Sequence, residues 1–298
     1  MTELPFETWD VFTHRRFAGN PLAVVFDADA LDTNTMLAIT REFDYSESVF
    51  VLAPEASGAD ARIRIFTPGG ELPFAGHPTV GAACAIARRR SITDSLVLDL
   101  GAGRFPVALE TARVVPRATF ENPNRPRVSG DGPDPAAIEV ALGLPAGAVD
   151  RGGHRPRFAG AGIDFAYARA PLAAVRAARL NTAAWEGLGI GDPCGVLLYA
   201  EVDDGAGDAD WHVRMFAPHI GVAEDPATGS AAAGLPAQLD AAGALGDGAH
   251  RWVVEQGVEM GRPARIEVAF ERRAGRIEGL RIGGGAVRVT AGRVAVEI

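Results

Sequence analysis

The chain has 298 residues, 47% of them hydrophobic and 22% charged, which is a globular composition with apolar material for one large core or two modest ones. Its 38 acidic and 29 basic side chains leave a net charge of −9, which argues against general affinity for the phosphate backbone of nucleic acid. All 29 basic residues are arginine, so mechanisms that need a lysine amine (a pyridoxal-phosphate Schiff base, a lysine-bearing phosphate loop) are excluded. In chain order, alternating apolar runs predict strands at 7–13, 22–26, 48–52, 61–66 and 96–100. A helix is predicted from Asp32, with Met36, Ile39 and Phe43 on one stripe, and a second from Pro78 to Arg88–Arg90, whose charges suit a helix C-terminus. Further on come a helix at 172–180, strands at 195–202 and 211–216, a helix at 231–242 and several strands from Arg251 onward.

The length favours two domains: an N-terminal half over 1–121, a proline- and glycine-rich linker over 122–135, a C-terminal half over 136–285, and a final strand over 286–298 that returns to the N-terminal half. Two cysteines, Cys84 and Cys194, form no disulfide framework, and the six histidines show no close metal-ligand spacing. The polar N-terminus is unlike a signal peptide, and the longest uncharged run is short for a membrane span. A cytoplasmic protein without membrane or metal partners is expected.

An internal echo is the most informative feature. Arg64-Ile-Phe66-Thr-Pro68 recurs 150 positions later as Arg214-Met-Phe216-Ala-Pro218. Glu71-Leu-Pro73-Phe-Ala-Gly76-His77 recurs 153 positions later as Glu224-Asp-Pro226-Ala-Thr-Gly229-Ser230, and Gly81 and Gly234 keep that displacement. A strand, a short turn and a helix of small residues thus occur twice, which predicts two pseudo-symmetric domains. Gly76 with His77, and Gly229 with Ser230, would open the two helices. Unpartnered N–H groups and the macrodipole make such a start attractive to a carboxylate. The small residues behind would let the helices approach closely, with both starts converging on one inter-domain cleft. The plainer alternative is that His77 and Ser230 cap buried helices.

Where the copies differ, His77 stands where the second copy has Ser230, and Asp225 where the first has Leu72, so His77 and Asp225 are candidates for proton transfer. Glu47, beside Ser46 at the entrance to an apolar strand, would be desolvated and its pKa raised. Its bland alternative is a solvated glutamate at a strand end. No second glutamate matches it in the other half.

Together, Phe17-Ala-Gly-Asn-Pro21, Ser46-Glu-Ser-Val-Phe50, Phe66 through Thr79, Glu224 through Ser230 and Gln256-Gly-Val-Glu-Met-Gly-Arg-Pro263 resemble the phenazine-biosynthesis isomerase (PhzF-like) family, from about Asp10 onward. The resemblance implies an α/β fold of the diaminopimelate-epimerase type: two pseudo-symmetric domains, each a mixed sheet around a central helix, with the active site between them. It also implies a homodimer needing no metal or organic cofactor. The family's founding activity isomerises trans-2,3-dihydro-3-hydroxyanthranilate by a proton shift. Its catalytic glutamate corresponds to Glu47, its histidine to His77, its aspartate to Asp225 and its serine to Ser230, with Ser46, Gly76 and Gly229 expected at the substrate. Racemases of this fold use two cysteines where this chain has Ala75 and Thr228. The expected function is a cofactor-independent proton shift on a small unsaturated carboxylate. A non-thiol racemase or epimerase and a non-catalytic carboxylate binder are the rivals.

Overall fold

Each half of the chain wraps a mixed sheet around one helix of small residues. The computed structural model describes residues 2–55, 57–191, 195–202 and 208–297, so Cys194 lies outside the described residues. The chain divides into two units, Met1–Glu121 with Gly283–Ile298, and Asn122–Ile282. No described helix is long and apolar enough to cross a membrane.

The first unit contains β1 (Thr2–Val11), β2 (Asn20–Val25), α1 (Thr33–Phe43), β3 (Glu47–Leu52), β4 (Ala61–Thr67), β5 (Gly70–Leu72), α2 (Gly76–Arg90), β6 (Ser95–Leu100), β7 (Gly103–Glu110) and β8 (Arg117–Glu121). β2 and β3 run parallel, as do β4 and β6, while β1–β2, β3–β4, β4–β5, β6–β7 and β7–β8 are antiparallel. Asp32 caps α1 by accepting the Thr35 N–H at 2.7 Å, and Asp44 ends it in the left-handed region at φ 54°. That turn delivers the chain into β3 at Glu47. α2 is buried from Gly76 to Ala87 and charged only at Arg88, Arg89 and Arg90, as expected of a helix enclosed on all sides but its end.

The second unit contains β9 (Arg127–Asp131), α3 (Pro135–Ala141), β10 (Arg157–Gly160), β11 (Asp164–Arg169), α4 (Leu172–Ala177), α5 (Thr182–Trp185), β12 (Val196–Glu201), β13 (Trp211–Ala217), β14 (Val222–Asp225), α6 (Gly229–Ala241), β15 (Gly248–Gln256) and β16 (Ala264–Arg273). Its pairings repeat those of the first: β11–β12 and β13–β15 parallel, β10–β11, β12–β13, β13–β14 and β15–β16 antiparallel. β17 (Arg276–Val296) is the last strand, and its residues 286–296 pair antiparallel with β1.

The echo extends to side chains. Arg64 forks onto Glu71 at 2.7 and 2.6 Å, and Arg214 forks onto Glu224 at 2.8 and 2.8 Å. Each guanidinium also lies over the phenylalanine two residues on, 5.1 Å from the Phe66 ring and 5.0 Å from Phe216. Bidentate pairs of this kind fix two strands in register and orientation. The change in displacement from 150 to 153 falls in the hairpin turn, which in the second copy holds a 3₁₀ turn at Pro218–Ile220.

Three expectations need correction. The stretch 122–135 is not a free linker: β9 lies within it and pairs with β10. β1 begins at Thr2, not near residue 7, because Thr2 to Phe6 find partners at Val296 to Gly292. α2 begins at Gly76, two residues before Pro78, since proline is tolerated anywhere in a first turn that lacks intrahelical N–H bonds. Two of the small residues are in close contact with strands of their own unit. A Cβ on Gly81 would stand 2.5 Å from Leu22 Cδ2 and 2.7 Å from Val11 Cγ2; one on Gly234 would overlap the Tyr167 hydroxyl and reach 2.9 Å from Gly160 Cα. The glycines let strands of the same unit press onto their own helix.

Candidate active site

In the first unit, Glu47 pairs in register with Leu22 at the mouth of β3. Its Oε2 lies 3.6 Å from Nε2 of His77, the second residue of α2. His77 is 4% exposed and the Glu47 side chain 17%. Burial pushes the Glu47 carboxyl up to about 7, against the opposing pull of a hydrogen bond from Ser46. Ser46 Oγ is also 3.2 Å from Asn20 Oδ1, so a buried asparagine seats the serine next to the glutamate. Ala75, extended at φ −150°, precedes α2 and supplies no side-chain cap. The Gly76 and His77 backbone N–H groups at the start of α2 thus receive no side-chain cap from Ala75.

In the second unit, Thr228 holds the position equivalent to Ala75 but does not cap α6 either. Its hydroxyl donates instead to Asp225 Oδ2 at 2.5 Å. Gln256, fully buried at the end of β15, ties this turn together. Its Nε2 donates to the Asp225 carbonyl at 2.7 Å and to Thr228 Oγ1 at 2.9 Å, while its Oε1 accepts the Thr228 N–H at 3.0 Å. Asp225 is buried, Gly229 and Ser230 open α6, and Ser230 is half-buried. An anion at this helix start would meet backbone donors and the Ser230 side chain, whereas the Thr228 hydroxyl is committed to Asp225.

The predicted residues thus fall into two groups. Ser46, Glu47, Gly76 and His77 come together in the first unit, and Asp225, Gly229 and Ser230 in the second. Register shows why only one glutamate is present. Ser48 pairs with Phe66 and Val196 with Phe216, so Gly195 is the counterpart of Glu47. A Cβ there would stand 2.7 Å from the Phe216 carbonyl oxygen, which leaves no room for a side chain. Asn20 and Gln256 were not singled out from sequence, although both lie in motifs that were; their partners are 26 and 28 or more residues away. Cys84 is buried inside α2 and its thiol is pushed up to about 12 by burial, which makes it inert at neutral pH.

Residues 9–292 match the family of phenazine biosynthesis-like proteins, PhzC-PhzF. The chain belongs to this family. A relative named trans-2,3-dihydro-3-hydroxyanthranilate isomerase, from Pseudomonas aeruginosa, is 36% identical over 296 residues, 95% of this chain and 96% of the relative. This PhzC-PhzF protein is an isomerase. The crystal structure of a PhzF-family phenazine biosynthesis protein from Bacillus anthracis superposes with a TM-score of 0.87 at 24% identity, covering 99% of this chain and 100% of that one. A hydroxyproline epimerase from Agrobacterium vitis shares the fold at a TM-score of 0.63 and 14% identity, covering 99% of this chain and 93% of that one. The epimerase-type α/β fold expected from the motifs is therefore present.

Proposed function

We propose that this PhzC-PhzF protein moves a proton between carbons of a small unsaturated carboxylate, with Glu47 as the shuttling acid and base and no cofactor in the step. The observation that carries the proposal is the desolvated Glu47 carboxyl, held near 7 and 3.6 Å from His77 beside an uncapped helix start. A carboxyl group of that pKa is divided between its two forms at neutral pH, so it can both take a proton and return it. The ionised Glu47 removes a proton from carbon, the electron pair of the broken C–H bond moves into the conjugated system, and the Glu47 acid delivers the proton to the far carbon. Proton count and charge are conserved. Backbone N–H groups of Gly76 and His77, and of Gly229 and Ser230, bind carboxylate and stabilise negative charge as it develops. His77 and Asp225 orient the substrate and exchange protons with its amino or hydroxyl substituents, and Ser46 keeps Glu47 aimed.

The substrate named for the Pseudomonas aeruginosa relative, trans-2,3-dihydro-3-hydroxyanthranilate, is the first compound to try. Incubation in heavy water, followed by mass spectrometry and proton NMR, should show double-bond migration with deuterium entering at the new C–H position. Glu47→Gln should slow this by about 10²–10⁴-fold. Near-normal turnover by that variant would overturn the assignment of the base. Deuterium entry with altered stereochemistry and no bond migration would replace the isomerase mechanism by a racemase or epimerase one.

A further inference from the structure

His212, fully buried on β13, lies between two carboxylates: Nδ1 is 3.1 Å from Glu255 Oε2 and Nε2 is 3.0 Å from Glu259 Oε1. A carboxylate only accepts hydrogen bonds, so both contacts form only when the ring carries two protons. Burial by itself would push the imidazole down, but the two glutamates outweigh it and raise His212 to about 9. Glu255 and Glu259 flank Gln256, the residue that ties Thr228 to Asp225. Arg214, forked onto Glu224 next to Asp225, approaches the second oxygen of Glu259 at 3.9 Å. Gly257, at φ +75°, lets this segment lie against the turn before α6, since a Cβ there would stand 2.6 Å from the Pro226 carbonyl oxygen.

We propose that His212 is a positioning residue: by pinning Glu255 and Glu259 on either side of Gln256, it holds Gln256 where it fixes Thr228 and, through the Thr228 hydroxyl, the Asp225 carboxylate. No side chain of the 255–259 segment is assigned to the substrate; the segment sets the angle and position of one that is. The consequence for catalysis rests on the role proposed above for Asp225, whereas the alignment itself does not. Misplacing a substrate-contacting group by a fraction of an ångström to an ångström costs about tenfold to a hundredfold in rate.

Two readouts separate these. The short Thr228–Asp225 hydrogen bond should give a low-field hydroxyl proton resonance in the wild-type protein, assigned by its loss in Thr228→Val. The resonance should vanish or move upfield in His212→Asn, in Glu259→Gln and in Gln256→Leu. On trans-2,3-dihydro-3-hydroxyanthranilate the same three variants should lose about tenfold or more in kcat with KM within about threefold, the pattern of a group used mainly in the transition state. Should His212→Asn fail to fold, Glu259→Gln, which replaces the charged acceptor by a weaker neutral one and so loosens the clamp, decides the matter; Gln256→Leu, which leaves the histidine clamp intact, checks only the last link to Thr228. Folded His212→Asn or Glu259→Gln protein with the resonance unchanged and kcat intact would overturn the proposal. A wild-type protein that shows the resonance and its dependence on His212, but no turnover, would sink the proposed reaction and leave the alignment standing.

Discussion

Glu47 Oε2 and His77 Nε2 stand 3.6 Å apart although one residue opens a strand and the other a helix 30 positions later. The separation is beyond a formed hydrogen bond but within reach of one after a small side-chain movement, so the two can act on one proton without locking each other. The pair is held from both sides. α1 ends in a left-handed turn that feeds β3, and the β4–β5 hairpin, braced by the Arg64–Glu71 fork, feeds α2.

The pH dependence follows from the sign of the Glu47 shift. Only the carboxylate can remove a proton from carbon, so kcat/KM should rise as pH increases through about 7 and level off above it. The folded value lies above the ordinary 4.5, so the folded state favours the protonated form and carries an unwelcome charge above pH 7. Glu47→Gln should therefore slow turnover by about 10²–10⁴-fold while raising thermal stability at pH 8, on the order of 3 kcal/mol, and leave stability at pH 4 nearly unchanged. Parallel melting curves at the two pH values check this.

His212 has the opposite consequence. Its folded value of about 9 lies above the ordinary 6.5, so its ion pairs stabilise the fold fully below pH 6.5 and lose that contribution as pH rises through about 9. Denaturant melts from pH 6 to pH 10 should show stability falling across that window. Glu255 and Glu259 are held below the ordinary carboxylate range and remain charged throughout it. In His212→Asn the fall should be smaller.

Gly81 and Gly234 should not be equivalent to mutation. An added methyl at Gly81 meets the methyl groups of Leu22 and Val11 and no backbone atom as near, and the Leu22 side chain can shift. At Gly234 it meets the Tyr167 hydroxyl, which donates to the Ala231 carbonyl at 2.6 Å, and the Gly160 backbone. Gly234→Ala should cost roughly 2–3 kcal/mol, the upper range for overpacking, and Gly81→Ala distinctly less because helix propensity offsets part of the crowding. Chemical denaturation of the two variants measures the difference.

Cys84 should be a spectator. With its thiol buried and raised to about 12, iodoacetamide at pH 7.5 should leave it unmodified in the native protein, and Cys84→Ser should retain turnover. Rapid alkylation of Cys84 with loss of activity would point instead to thiol chemistry.

How much was legible in the sequence can be judged from particular residues. The echo linking Arg64 and Glu71 to Arg214 and Glu224 was visible because each pair sits within ten positions, and the structure adds that both are forked ion pairs. Glu47 was legible from its place before an apolar strand, and burial does raise its pKa. Gln256 was not, since its hydrogen bonds reach back 28 and 31 residues and nothing local to it signals a partner. The stretch 122–135 misled because proline and glycine are common both in linkers and in edge strands; what makes 127–131 a strand is β10, nearly 30 residues downstream. Gly81 and Gly234 each lie against a strand of their own unit, a partner that composition does not reveal.

The pairing of Thr2–Val11 with residues 286–296 sets an order of assembly. Residues 122–282 form one unbroken length whose unit closes on itself, whereas β1 finds its second partner only in residues 286–296. The earliest residues of the unit that holds Glu47 and His77 therefore wait, with one edge of β1 unsatisfied, until some 280 positions have followed them. A chain ending before residue 286 would leave that edge of β1 open, the kind of unpaired strand edge that invites association with other chains.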